Sequence, residues 1–258
     1  MSRSELALEE VRVLDFTWVL AGPIAGHLFA DFGAEVIKVE SRNRLDAQRC
    51  HRPLPFPQAD DEEARPEIMP FFHILNRNKL GVTINLKHPR GVSLIKELVK
   101  MSDVVLENFA PGTMKKLGLD YSVLSDINPE LVMVSFSGAG SYGPYMNMAA
   151  YASIITAMTG IDSMTGYEDE DPAGIITLNV GDVTLALSGF FGALAALIDR
   201  SNSGKGQYID VSGIESLTSC LGEPIMDFMM NQRVAKPMGN FNPHGAPYGI
   251  YRLSLIHI

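Results

Sequence analysis

Apolar positions along the chain follow two alternating rhythms. Short runs rich in β-branched residues read as strands: Val11 to Phe16, Val36 to Glu40, Gly81 to Leu86, Val104 to Leu106, Leu131 to Phe136 and Gln207 to Val211. Between them lie stretches of helical character: Ala21 to Phe32, Pro89 to Met101 with Val92, Leu94, Ile95 and Leu98 on one face, Thr113 to Leu119, Tyr121 to Ile127, Ala149 to Thr159, Val183 to Leu197 and Gly213 to Met230. Phe71 to Lys79 reads as a further helix or turn. A strand, a helix and a second strand within some thirty residues make a β-α-β unit, and such crossovers imply parallel pairing. The alternation predicts an α/β fold, a doubly wound and mostly parallel sheet of Rossmann-like design.

Two segments stand outside that rhythm. Arg42 to Pro70 carries four prolines between Pro53 and Pro66 and the acidic run Asp60 to Glu63, the composition of a solvated surface excursion. Ser137 to Pro144 is glycine-rich; it is either a flexible strand exit or a place where Gly138, Gly140 and Gly143 let backbone approach a ligand. The longest apolar run, Val183 to Ile198, is bracketed by Asp182 and Asp199 and is short for a bilayer, so a buried core helix is expected and no membrane partner.

Composition narrows the function classes. Of 258 residues, 46% are hydrophobic and 20% charged, an ordinary globular balance. The formal net charge of −9, with no block of Lys and Arg against it, argues against nucleic acid as a partner but leaves room for an anionic small ligand. Two distant cysteines, Cys50 and Cys220, suggest no disulfide framework and a reducing, cytoplasmic setting. Met1 to Glu10 lacks an apolar signal-peptide core. The turn after the first strand has no G-x-G-x-x-G, so a dinucleotide cofactor is not implied. Leu253 to Ile258 resembles the translation of a sequencing adapter; the expectation is a natural chain running on beyond Arg252.

Candidate chemistry concentrates at Asn179 to Thr184, where Gly181-Asp182 opens the long apolar run. Asp182 could be an N-cap accepting the unpaired N–H groups of that helix. It could equally be a reactive carboxylate beside a helix N-terminus, a location that suits anions.

Several motifs in order resemble the family III CoA-transferases, a group that includes formyl-CoA transferases, carnitine CoA-transferases and α-methylacyl-CoA racemases. They are Val13 to Thr17 with Ala21-Gly-Pro23, Ala30 to Glu40, Asn76-Arg-Asn-Lys79, Glu107 to Gly112, Leu117 to Tyr121, Gly181-Asp182 and Gly204 to Gln207. The resemblance implies a large CoA-binding domain over 1–203, a strand and linker helix over 204–230, the start of a smaller domain over 231–252 and a foreign tail over 253–258. It further implies an interlocked homodimer for the full-length protein and places Gly239 to Gly249 near the active-site entrance.

Carried over by position, Asp182 matches the catalytic aspartate, and Val19, Lys79, Asn108, Phe109 and Lys116 match CoA contacts. Lys79 and Lys116 would neutralise CoA phosphates; otherwise each is a solvated lysine. The implied partners are an acyl-CoA and a free carboxylic acid, with CoA as substrate and neither a prosthetic group nor a metal. Ser41 stands where an arginine is frequent, with Arg42 beside it. Leu20 replaces a glutamine of the oxalate-type enzymes, which argues against oxalate. In the racemase branch a histidine serves as second base, whereas this chain aligns Tyr151 there, and a neutral tyrosine with a pKa near 10 is a poor partner for that role. The transferase reading is therefore preferred over a racemase and over a non-catalytic CoA-binding fragment.

Overall fold

The computed structural model describes residues 6–50, 69–175 and 179–252. The acidic run at 60–63 and the tail at 253–258 lie outside them. The chain starts with β1 (Arg12–Asp15), α1 (Ala21–Asp31), β2 (Glu35–Glu40), the short α2 (Ala47–Cys50) and α3 (Pro70–Leu75). It continues through β3 (Leu80–Thr83), α4 (Pro89–Val99), β4 (Val104–Glu107), α5 (Thr113–Leu117), α6 (Tyr121–Ile127) and β5 (Val132–Ser137). The remaining elements are α7 (Ala152–Thr159), α8 (Val180–Ser203), β6 (Tyr208–Ser212), α9 (Gly213–Thr218) and α10 (Gly222–Asn231).

Six strands form one sheet in the order β3-β2-β1-β4-β5-β6, every pair parallel. This is the doubly wound order with a reversal between β1 and β4. Successive strand residues point to opposite faces, and here both faces are buried. Val13, Val104, Leu106, Val132 and Val134 join Phe29 of α1 and Leu185, Ala186 and Ala193 of α8 in one core. Leu14, Val105 and Met133 join Ile95 and Val99 of α4 and Leu124 of α6 in the other. The continuous apolar runs seen in sequence are thus strands packed on both sides.

β6 pairs with β5 from Tyr208 to Ser212, so the α/β layer extends at least through that strand. The expected single helix over 213–230 is two: α9 and α10 are separated by a 3₁₀ turn at Ser219–Leu221. Pro224 explains the interruption, since it lacks an N–H and sits comfortably only in the first turn of a new helix.

α8, at 24 residues, is long and apolar enough by length to cross a bilayer. Its inner face instead buries Leu185, Ala186, Gly189, Ala193 and Ala196 on the sheet and α1. Close approach to β5 depends on Gly189: a Cβ there would stand 2.1 Å from Cε1 of the buried Phe136 ring. Gly189→Ala is expected to lower stability by about 1–3 kcal/mol, the cost of overpacking a filled core. A fall in the urea unfolding midpoint without a change in slope would register it.

Candidate active site

Ligands of open parallel sheets bind beyond the carboxyl ends of the strands, where the strand order reverses. In this chain that place lies between β1 and β4. The chain leaves β1 as Phe16-Thr17-Trp18-Val19-Leu20 and leaves β4 as Asn108-Phe109-Ala110. A cleft of about 320 Å³ opens between them, lined also by Ala21, Arg44, Thr113, Ala150, Tyr151 and Asp182.

Asp182 enters the cleft from the first turn of α8. The N-cap of that helix is Asn179, so the simple capping reading of Asp182 does not hold. Ala21, the first residue of α1, lines the same cleft, and its backbone N–H favours the charged form of the Asp182 carboxyl. The carboxylate therefore stands at the N-terminal ends of two helices, both of which favour negative charge. Burial acts against this: it pushes the pKa up to about 6, and the Ala21 N–H only partly opposes the rise.

Four expected residues meet in the cleft: Asp182, Val19, Asn108 and Phe109. Asn108 is already engaged with protein. Its Oδ1 accepts the Trp18 N–H at 2.8 Å, and its Nδ2 donates to the Trp18 carbonyl at 2.7 Å. This reciprocal pair clamps the Trp18 backbone, and the Phe109 ring meets the indole edge-on at 6.1 Å. Val19 lies at φ +67°, a region where a β-branched residue is strained.

Lys79 and Lys116 are not among the residues lining the cleft. Lys79 is not a solvated lysine either. Its side chain is 2% exposed, and Nζ donates to Asp15 Oδ2 at 2.7 Å, to the Asn76 side chain at 3.0 Å and to the Pro23 carbonyl at 3.0 Å. Asn76 and Lys79 of the Asn-Arg-Asn-Lys motif thus join β1 and α1, and in this geometry the ammonium charge is spent on a buried carboxylate. Burial lowers the Lys79 pKa to about 8 against the opposing pull of Asp15. Burial would raise Asp15, but Lys79 and Lys38 hold its carboxyl below the ordinary aspartate value. Lys116 is exposed on the short α5.

Sequence reading passed over Trp18, Arg44 and Asp46. The Arg44 guanidinium lies 4.7 Å over the Trp18 ring and is the one cation among the described residues lining the cleft. Both it and Asp46 fall in the stretch read as a surface excursion, far in sequence from the turn they touch, and no local pattern marked them. Tyr151 does line the cleft, and no histidine does among the described residues.

A second cavity of about 250 Å³ sits beyond the ends of β4, β5 and β6 and shares Phe109 and Ala110 with the first. Glu107 lies in its wall, its carboxyl raised by burial although Ser135 and the Phe109 N–H donate to it.

A doubly wound parallel sheet with a carboxylate in the cleft at its strand reversal defines an α/β protein with a ligand-sized crevice at that reversal. The family model for CoA-transferase family III matches residues 8–255, and the chain belongs to that family. It is 40% identical over 247 residues to the succinyl-CoA–D-citramalate CoA-transferase of Chloroflexus aurantiacus, covering 95% of this chain and 58% of that protein. It is 36% identical over 247 residues to the succinyl-CoA:glutarate CoA-transferase of Mus musculus, covering 95% and 54%. A crystal structure of a CAIB/BAIF family protein from Brucella suis superposes with a TM-score of 0.87 at 35% identity, covering 95% of this chain and 63% of that one. The chain thus spans a little over half the length of these curated relatives.

Two stability measurements follow from the site. Lys79→Met strands Asp15 as a buried charge and is expected to cost about 3–5 kcal/mol in chemical denaturation. A variant that weakened CoA binding with unchanged stability would contradict the structural role. For Asp182 the folded pKa lies above the unfolded value, so ionising it opposes folding. The penalty is absent below pH 3.8, builds as pH rises to about 6 and is constant above. Asp182→Asn should therefore raise the melting temperature at pH 7.5, by the equivalent of about 3 kcal/mol, and change little at pH 4.

Proposed function

We propose that the protein moves CoA from an acyl-CoA to a free carboxylic acid, with Asp182 as the nucleophile. The observation that carries this reading is the Asp182 carboxylate itself, lining the cleft between β1 and β4 with Ala21 where two helices begin. Its membership of the CoA-transferase family supports the same class of reaction.

The chemistry proceeds through covalent exchange on one side chain. A carboxylate oxygen of Asp182 attacks the thioester carbonyl carbon, the C–S bond breaks, and CoA leaves as thiolate from a mixed anhydride. The thiolate attacks the Asp182 carbonyl carbon and releases the donor acid, leaving an aspartyl-CoA thioester. The acceptor carboxylate attacks that thioester, giving a second anhydride and thiolate. Attack of the thiolate on the acceptor acyl carbon completes the new acyl-CoA and frees Asp182. One thioester replaces another, so the exchange is close to balanced and calls for no phosphoanhydride.

Ionised Asp182 is the reactive form, and a pKa near 6 leaves it mostly ionised at neutral pH while keeping it more basic than an ordinary aspartate. The similar proteins from Chloroflexus and mouse are named for succinyl-CoA with citramalate or glutarate. Dicarboxylic acids are accordingly the acceptor class proposed here. We assign the activity to a cytoplasmic, interlocked homodimer whose large domain runs from the N-terminal strands at least through β6, with 231–252 opening a smaller one.

The test incubates the full-length protein in D₂O with succinyl-CoA and a panel of dicarboxylic acids, following every thioester by mass spectrometry. A new acyl-CoA without deuterium at its α-carbon is expected, and Asp182→Ala should reduce its formation by at least about 10³-fold, as loss of a covalent nucleophile does. Transfer surviving in Asp182→Ala would sink the nucleophile assignment. Deuterium at the α-carbon with no new thioester would mean racemisation, with Tyr151, which also lines the cleft, as the candidate second base. The rate of aspartyl-CoA formation should rise with pH through a midpoint near 6 and level off above 7; a flat profile from pH 5 to 8 contradicts Asp182 as the titrating group.

A further inference from the structure

Among the described residues lining the cleft there is one carboxylate, Asp182, and one cation, Arg44. Arg44 is exposed, and its guanidinium carbon lies 4.7 Å from the centre of the Trp18 ring. Attraction to the ring restrains the side chain without consuming its N–H donors. The platform is itself fixed, since Asn108 bonds both the N–H and the carbonyl of Trp18. Two acids share a small crevice with Arg44 and Trp18, and both have partners of their own. Glu40 accepts two hydrogen bonds from Arg49, at 2.9 and 2.8 Å. Asp46 accepts the N–H groups of Val19 and Gln48 and pairs with Lys38. Among the described residues the Arg44 guanidinium has neither an ion pair nor a hydrogen bond.

Other cations near this end of the sheet are already engaged or lie elsewhere. Lys38 and Lys79 are buried in ion pairs with Asp46 and Asp15, and Lys116 does not line the cleft. A dicarboxylic acid brings two charges to this place. One carboxylate enters the exchange at Asp182, while the other stays ionised and loses water as the ligand enters. Such a group is best met by a guanidinium, whose fork gives a carboxylate two parallel hydrogen bonds. The cleft volume of about 320 Å³ is at the lower end of small-molecule sites, about 300–1,000 Å³, which suits a short diacid.

We propose that Arg44 binds the second, unreacting carboxylate of the dicarboxylic substrate and so selects diacids over monoacids of the same length. This rests on the reading that dicarboxylic acids are the acceptors, but not on Asp182 being the nucleophile. A phosphate of CoA has the same oxyanion chemistry and is the competing occupant. The shared wall favours the carboxylate: Arg44 and Asp182 line one small cleft, whereas the long pantetheine arm separates the CoA phosphates from the reacting thioester.

The experiment is an NMR binding titration of the full-length protein carrying Asp182→Asn, whose neutral amide removes repulsion between Asp182 and an entering carboxylate. The probes are ¹³C-glutarate, ¹³C-valerate, in which a methyl group replaces the second carboxylate, and free CoA. Glutarate is expected to bind at least about 10-fold more tightly than valerate. Adding Arg44→Gln should remove that preference, weakening glutarate about 10-fold and leaving the CoA affinity as it was. Adding Arg44→Lys instead should keep part of the preference, since an ammonium retains the charge but not the fork. Absence of the preference with Arg44 in place, or its persistence in Arg44→Gln, overturns the proposal. Loss of CoA affinity with the preference intact gives Arg44 to a phosphate and overturns it equally. Transfer surviving in Asp182→Ala would remove the nucleophile and leave this comparison standing. Diacids still preferred in Arg44→Gln would remove Arg44 and leave the transferase reading standing, so the two failures are distinguishable.

Discussion

A buried ion cluster at the carboxyl end of β1 holds the working end of the sheet together. Asp15, Lys38 and Asp46 are buried residues, and the Lys79 side chain is buried with them. Two carboxylates and two ammoniums cancel in formal charge, and each makes hydrogen bonds beyond its ion pair. Breaking such a set is expensive because the survivor is left charged and dry. What the set gains is geometry: Lys79 ties Asn76 and α1 to β1, Lys38 ties β2 to the Thr17 carbonyl, and Asp46 ties α2 to Val19. Two glycines make room. A Cβ at Gly26 would fall 2.6 Å from Asp15 Oδ2, and one at Gly22 would fall 2.3 Å from the Thr17 side chain.

This cluster also explains which parts of the site could be read in advance. The strands were legible because both faces of the sheet are buried, so each strand is a compact apolar run. Asp182 was legible because an aspartate after Gly181 opens a long apolar helix. Lys79 stood out in its Asn-Arg-Asn-Lys motif, but its buried partner was illegible, since Asp15 lies 64 residues away and no local pattern links them. Asp46 was missed for the same reason: its grip on Val19 spans 27 residues and its own surroundings look like loop. The split between α9 and α10 was, by contrast, available in Pro224 and is a matter of helix chemistry alone.

The two cavities beside Phe109 show how tightly the walls of the cleft are coupled. Phe109 and Ala110 face both spaces, Asn108 clamps Trp18, and Glu107 secures the Phe109 N–H at 2.8 Å. Arg44 lies over the ring of the same indole. The strand reversal thus supplies a crevice, while side-chain to backbone bonds between sequence-distant residues fix its shape. In a fold shared by many unrelated enzymes, those bonds distinguish this site from a generic one.

The state of Asp182 follows from a competition that the fold sets and the sequence can tune. Two helix N-termini favour the carboxylate; burial disfavours it and wins, lifting the pKa to about 6. A fully solvated aspartate would be ionised but weakly basic, and a fully dry one would be protonated and inert at neutral pH. The partly buried position at the start of α8 lies between those limits. It leaves the carboxylate charged near neutral pH, yet poorly enough solvated that the bond to an acyl carbon proposed for it would relieve part of the cost of burying it.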